Sequence, residues 1–155
     1  MIKKIDYEIT KDFSECLESI HRESEERITK CRKAYEVIKT LKPLLPKNWN
    51  LEYQSHGTMY LSKAGGEKED EKNSPIEFRT VCQHVERITG LKMNREVRDW
   101  GSLTLHAGVW VKDGGYSIYV DLGSPNCKVT YEEREIAAHT EKRAVVPDAC
   151  LGKQM

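Results

Sequence analysis

Two arginines and a tryptophan lie close together before the strongest predicted strand, and a histidine follows within that strand. These residues are Arg95, Arg98, Trp100 and His106. Guanidinium groups bind phosphate, and an indole ring can stack on a base. The segment therefore predicts a site for a nucleotide or another small ligand, in a pocket between subunits. The alternative is that this segment is an amphipathic connector in which Trp100 anchors the core. Neighbouring carboxylates favour this alternative, because they offset the positive charge of the arginines.

Trp110 and Tyr119 are out of phase with the apolar residues beside them in two predicted strands. Successive side chains of a strand point to opposite faces, so both rings are expected on the outer face of the sheet. Exposed Trp and Tyr side chains are typical anchors of protein interfaces. The same interaction is predicted to include Arg22, Arg27 and Arg32 of a charged N-terminal helix. The alternative is a second covered face, for example under the long helix.

The cysteine and histidine residues lack the spacing of a metal site. Structural zinc sites use close pairs such as CxxC, which does not occur in this sequence. The nearest pair, Cys82 and His84, would lie about 200° apart around a helix and cannot share an ion. Cys127, His139 and Cys150 could converge only if the C-terminal segment folds back onto the last strand. No metal and no cofactor are therefore predicted, and most cysteines are expected to be small core residues.

Sequence motifs of catalysis are also missing. The chain contains no GxSxG, no P-loop and no GxGxxG. Paired carboxylates are frequent, but they occur in strongly charged, solvated runs such as 69–71. General acid–base catalysis needs a carboxyl group in a pocket. The sequence therefore favours a non-catalytic binding protein over an enzyme.

The charge balance narrows the possible partners. The 155 residues include 25 Lys and Arg and 25 Asp and Glu. A net charge of zero argues against dedicated nucleic-acid binding and against binding to an anionic membrane. No apolar run approaches the roughly 18 residues of a membrane span, and the N-terminal residues lack the hydrophobic region of a secretory signal. The widely spaced cysteines are typical of free thiols in a reducing compartment. A protein partner and a cytoplasmic location are therefore predicted.

A long N-terminal helix, predicted over 11–45 with Asp12 as its N-cap, is the most distinctive element of the chain. Its apolar stripe consists of Phe13, Leu17 and Ile20, followed after an interruption by Ile28, Cys31, Tyr35, Ile38 and Leu41. The polar interruption, 21–27, has no Gly or Pro, so one continuous helix is expected. Such a helix is longer than a globule of this size. Apolar ends around a polar middle suit antiparallel packing and predict a homo-oligomer, most simply a dimer.

The remainder of the chain predicts an α+β fold. Alternating residues indicate two strands over 49–62. Ser74 and Gly90 are the expected caps of a second helix, and an antiparallel meander of three strands is expected between 103 and 131. The predicted organisation is a long helical arm over 1–46, an α+β domain over 47–133 with an antiparallel sheet of about four to five strands, and an irregular tail over 134–155.

Two short segments near the C-terminus resemble sequences of a known group of proteins. The segments 127–133 (CKVTYEE) and 138–143 (AHTEKR) resemble small accessory proteins of bacteriophages and prophages. The resemblance covers the last quarter of the chain and carries over no catalytic residue. It implies an accessory phage protein that acts in the host cytoplasm. Many such proteins bind and block a component of the host or of its anti-phage defence.

Overall fold

The computed structural model describes residues 2–54, 56–66, 68–136 and 139–153, without the side chains of 2–10 and 134–141. In chain order its elements are α1 (Ile2–Leu41), a 3₁₀ turn (Lys42–Leu44), β1 (Asn50–Gln54), β2 (Thr58–Lys63), a second 3₁₀ turn (Glu69–Glu71), α2 (Pro75–Thr89), β3 (Asn94–Asp99), β4 (Leu103–Val111), β5 (Tyr116–Gly123), β6 (Thr130–Ile136), β7 (His139–Val145) and α3 (Asp148–Leu151). The α+β class expected from the sequence is confirmed.

Five strands form one mixed sheet in the order β1-β2-β5-β4-β3. Neighbouring strands are antiparallel except β2 and β5, which run parallel. The sequence suggested antiparallel pairing throughout. The parallel pair forms because α2, β3 and β4 lie between these two strands in the chain and provide the long crossover that parallel pairing requires. With β2 on one side and β4 on the other, β5 is the central strand of the sheet.

The core lies on one side of this sheet, which we call the inner face. Its fully buried strand residues are Met59, Leu61, Leu105, Ala107, Ile118, Val120 and Leu122. α2 packs on this face through Phe78, Val81, Cys82 and Val85, and the C-terminal part of α1 adds Ala34 and Leu41. Because apolar residues alternate along β5, every second side chain of that strand points away from the core.

Helix α2 begins and ends as its sequence predicts. The Ser74 hydroxyl accepts a hydrogen bond from the backbone N–H of Ile76 at 3.3 Å, and Pro75 occupies the first turn. Gly90 ends the helix with a left-handed φ of 72°. The Glu77 carboxylate binds Lys63 Nζ at 2.9 Å, which ties the first turn of α2 to β2.

Helix α1 is continuous through the polar segment 21–27, as expected, but it already begins at Ile2, so Asp12 lies within the helix and is not its cap. The helix is exposed on all sides from Lys11 to Thr29. This exposed part is about 28 Å long. From Lys30 onwards α1 packs on the globular part, where Lys33 Nζ donates to the Asp113 carbonyl at 2.8 Å. Neither α1 nor any other described helix is long and apolar enough to cross a membrane.

The segment 92–100 contains the edge strand β3. The alternative prediction of a connector is therefore wrong for 94–99. The third strand of the expected meander does not join the sheet. Instead, β6 pairs with β7 in a separate antiparallel hairpin. The region 134–155, expected to be an irregular tail, is therefore folded over most of its length. Val146 and Leu151 return to the core.

Candidate binding face on the outer side of the sheet

The outer face is the side of the five-stranded sheet opposite the core. It carries Tyr60 from β2, Glu96 and Arg98 from β3, His106, Gly108 and Trp110 from β4, and Ser117, Tyr119 and Asp121 from β5. The described helices α1, α2 and α3 all contribute side chains to the core on the inner face. The placement of Trp110 and Tyr119 on the outer face agrees with their phase in the sequence.

Aromatic rings form a continuous row across the outer face, which we call the aromatic band. Tyr60 and Tyr119 are direct neighbours in register, and their rings stack with centroids 5.6 Å apart. Tyr119 stacks in turn on His106 at 5.5 Å. Trp100 meets the His106 ring edge-on at 6.3 Å. The band therefore crosses β2, β5 and β4 and ends at the turn between β3 and β4.

Gly108 allows this band to form. It lies directly opposite Tyr119 in the β4–β5 pairing. A Cβ atom at Gly108 would lie 3.0 Å from the Tyr119 ring, closer than ordinary van der Waals contact. The tyrosine ring therefore lies flat across β4 because this position has no side chain. A glycine inside an apolar strand is a sequence signal of such close approach, and it could have pointed to this site.

The His106 ring is held in a fixed orientation. Its Nδ1 is hydrogen-bonded to Asp121 Oδ1 at 2.5 Å across the β4–β5 pair, and the residue is only 6% exposed. A carboxylate on Nδ1 orients the ring and leaves Nε2 free for a ligand. Among the residues that the structure describes, no hydroxyl or thiol is hydrogen-bonded to this ring. The pair can orient a ring for binding, and it lacks the adjacent nucleophile of a triad.

Arg98 and Trp100 form the rim of the band. The guanidinium carbon of Arg98 lies 5.3 Å from the centroid of the Trp100 ring, within the range of a cation–π contact. Arg98 Nε also donates to Glu96 Oε1 at 2.6 Å, so part of its charge is neutralised. Trp100 is 62% exposed. The rim therefore offers an accessible indole beside a paired arginine.

The structure brings three of the four residues of the predicted ligand site together: Arg98, Trp100 and His106. Arg95, the fourth, points to the inner face, where it forms an ion pair with Glu86 and donates to the carbonyl groups of Leu151 and Gly152. Its side chain is 8% exposed. Arg95 therefore joins β3 to α2 and α3. Sequence reasoning missed two members of the cluster, Tyr60 and Asp121, because cross-strand neighbours are not visible without the register.

An open depression of about 1180 Å³ runs along β3 and β4 and reaches the aromatic band. Its lining includes His106, Trp110, Ser117 and Tyr119, with Arg143 of β7 on the hairpin side. Trp110 is 56% exposed. A flat or elongated group could lie in this depression against the rings.

The arginines predicted to share the contact with Trp110 and Tyr119 lie on α1. Arg22, Arg27 and Arg32 are exposed there. The part of α1 that packs on the sheet does so on the inner face, so the helix does not cover the aromatic band. The alternative of a second covered face under α1 is therefore wrong.

The described residues contain no group of three or more His, Cys, Asp or Glu side chains that could hold a metal ion. The C-terminal segment does fold back far enough to bring the Cys150 thiol to Cys127. Burial and the hydrogen bond between these thiols raise the pKa of Cys127 to about 12. The third candidate ligand, His139, has its side chain outside the described residues. Cys82 is a core residue, and burial raises its pKa to about 12 as well.

No protein-family model matches the chain, and no match was found among curated proteins or solved structures. The functional assignment therefore depends on the geometry of the chain itself.

Proposed function

We propose that this chain is a non-catalytic interaction protein that contacts a protein partner through the outer face of its sheet. The observation that carries the proposal is the exposure of Trp100 and Trp110, both more than half exposed, beside the band of stacked rings on a sheet face that no described helix covers. Single exposed apolar residues are common on protein surfaces. Several aromatic rings on one face are typical of an interface centre.

The rigidity of the band supports the same function. Tyr119 is held between Tyr60 and His106, and His106 is fixed by Asp121. Rings that are already ordered lose little conformational entropy when a partner binds, which increases affinity. The charged side chains of Glu96 and Arg98 lie at the rim, where polar groups of an interface usually stay in contact with water.

The resemblance of the C-terminal segments to phage accessory proteins suggests the kind of partner. We extend the proposal accordingly: the chain binds and blocks a component of the host or of its anti-phage defence, in the host cytoplasm. Nothing in this role requires a cofactor or a metal. The partner's contact surface should offer apolar pockets that accept the indole rings, since hot-spot residues pair with pockets across an interface.

The test uses Trp110→Ala, with Ile76→Ala as the matched control. Both residues are exposed and apolar, but Ile76 lies on α2, away from the outer face. A protein captured from host lysate by the wild type is purified, and its affinity is measured by calorimetry. Trp110→Ala should weaken binding about 30-fold or more, because a hot-spot residue contributes about 2 kcal/mol or more. Equal affinities of Trp110→Ala and Ile76→Ala would refute the outer face as the contact.

A small-ligand binder is the second candidate, and a specific observation favours it. Arg98 and His106 line the depression, and Trp100, the third residue expected to bind a ligand, contacts both of them. An aromatic ring of a nucleotide could stack on Trp100 while its phosphate meets Arg98.

Thermal unfolding in the presence of nucleotides tests this second candidate. A ligand at about 100 times its Kd stabilises the folded state by about 2.7 kcal/mol, which corresponds to roughly 5–10 °C for a chain of this size. The shift should disappear in Trp100→Ala and persist in Ile76→Ala. The absence of a shift with every nucleotide would exclude this candidate and leave protein binding in place.

A further inference from the structure

The apolar stripe of α1 is uncovered before the polar segment 21–27, and it stays partly uncovered after that segment, at Ile28 and Tyr35. On the N-terminal side Phe13, Leu17 and Ile20 are each at least half exposed. On the C-terminal side Ile28 and Tyr35 are about half exposed as well, and Tyr35 lies where the helix already packs on the globular part. A stripe of large apolar side chains along a helix of this length is unusual for a surface that stays in water.

These residues are arranged symmetrically about Ser24. Phe13 and Tyr35 are equally distant from Ser24 in the sequence, and so are Leu17 and Cys31, and Ile20 and Ile28. Together with Ser24 these residues occupy seven positions. Each position is three or four residues from the next, so all seven share one side of the helix. Between Phe13 and Tyr35, an antiparallel copy of α1 centred on Ser24 therefore places an apolar residue opposite an apolar residue at every layer except the centre, where two small serines meet.

Charged residues that flank the stripe follow the same register. In this arrangement Glu23 of one chain lies beside Arg27 of the other, on one side of the stripe. Glu18 lies beside Arg32 of the other chain, on the opposite side. Symmetry repeats both contacts, so each flank carries two pairs of unlike charge. Exposed pairs add little affinity, but they discriminate between registers.

A shallow apolar depression lies where the second copy would sit. It has a volume of about 490 Å³ and is formed by α1 and β1, with Ile28, Cys31, Tyr35 and Tyr53 in its lining and the Arg27 and Arg32 side chains at its edge. The proposed register brings Phe13 of the second chain to Tyr35. In this register the depression of one chain covers the Phe13 ring of the other. The contact is therefore complete only when both chains contribute to it.

We propose that the chain forms a homodimer in which two α1 helices pack antiparallel about Ser24, with Phe13 of each chain seated in the depression beside Tyr35 of the other. The two globular parts then lie at opposite ends of the helix pair, and both outer faces remain free. This inference uses α1 and β1 and does not depend on the function proposed for the outer face.

Cross-linking of the full chain tests the register. In a Cys16→Ser background, Leu17→Cys introduces a thiol that should lie opposite the natural Cys31 of the second chain. A short bis-maleimide should then produce a covalent dimer at low protein concentration, and peptide mapping should find residue 17 joined to residue 31. Glu15→Cys, whose side chain lies on the opposite side of α1, is the matched control. It should give at least tenfold less covalent dimer.

A link from residue 17 to residue 17, or from residue 31 to residue 31, would overturn the antiparallel register and indicate parallel helices. Equal yields for Leu17→Cys and Glu15→Cys would overturn the stripe as the contact. Trp110→Ala changes the outer face and should leave the cross-linking yield unchanged. Cross-linking therefore tests the dimer separately from the binding function proposed for the outer face. Circular dichroism of each variant verifies that the helix content is retained.

Discussion

Arg95 and Arg98 lie on the same strand but on opposite faces of the sheet, and this difference predicts very different costs of substitution. Arg95 is 8% exposed, pairs with Glu86 and donates to two carbonyl groups near α3. Arg98 is 41% exposed and pairs with Glu96, which is 52% exposed. The perturbation is the replacement of each arginine by methionine, which keeps most of the apolar stem and removes the charge.

The expected magnitudes follow from burial. Removing one partner of a buried ion pair costs about 3–5 kcal/mol, because the other charge stays buried without compensation. Glu86 is 21% exposed, so water partly relieves the loss, and we expect about 3 kcal/mol for Arg95→Met. An exposed pair contributes about 0–1 kcal/mol, so Arg98→Met should cost less than about 1 kcal/mol.

Urea unfolding followed by tryptophan fluorescence measures both free energies. Arg95→Met should also lower Tm by roughly 6–12 °C, and Arg98→Met by no more than about 4 °C. The double variant Arg95→Met/Glu86→Gln should recover part of the loss, because it removes the uncompensated carboxylate as well. Equal costs for the two arginine variants would refute this assignment of Arg95 to the joint between β3, α2 and α3.

Three further predictions concern the core, the aromatic band and the α1–β1 contact. Phe78→Ala should lower the free energy of unfolding by about 3–5 kcal/mol in urea titrations, since Phe78 is fully buried between α2 and the sheet. Gly108→Ala should displace the Tyr119 ring and change the near-ultraviolet circular dichroism, and an unchanged spectrum would contradict the close approach. Burial and the neighbouring Cys31 thiol raise the pKa of Tyr53 from 10.0 to about 12. The folded state therefore retains a proton that the unfolded state loses, so stability should fall as the pH rises from about 10 towards about 12, and Tyr53→Phe should reduce this fall.

The local signals of the sequence predicted α2 and the continuity of α1, but not the strand β3 or the start of α1 at Ile2. The Ser74-Pro75 start and the Gly90 stop define α2 through backbone chemistry, which acts within a few residues and needs no tertiary context. The continuity of α1 through 21–27 likewise follows from intrinsic helix propensity. The phase of Trp110 and Tyr119 against their apolar neighbours was sufficient to place both rings on the outer face.

Pairing between distant parts of the chain could not be predicted. The parallel contact of β2 with β5 depends on the crossover between them, and several topologies satisfy the same alternation of apolar residues. Arg95 shows the consequence for the site. It lies in the same basic and aromatic segment as Arg98, but a strand places it on the other face, where Glu86 and the C-terminal carbonyl groups bind it. Assigning 94–99 to a strand would have placed Arg95 and Arg98 on opposite faces of the sheet.

The central claim is that this chain works through surfaces that its own fold leaves uncovered, and that the α1 stripe is its assembly surface. Light scattering of the full chain tests this claim most directly. The mass of one chain is 17.9 kDa. At micromolar concentration we expect a molar mass about twice that value, as for a closed two-fold dimer. A molar mass of 17.9 kDa throughout the micromolar concentration range would show a monomer and contradict assembly through the α1 stripe.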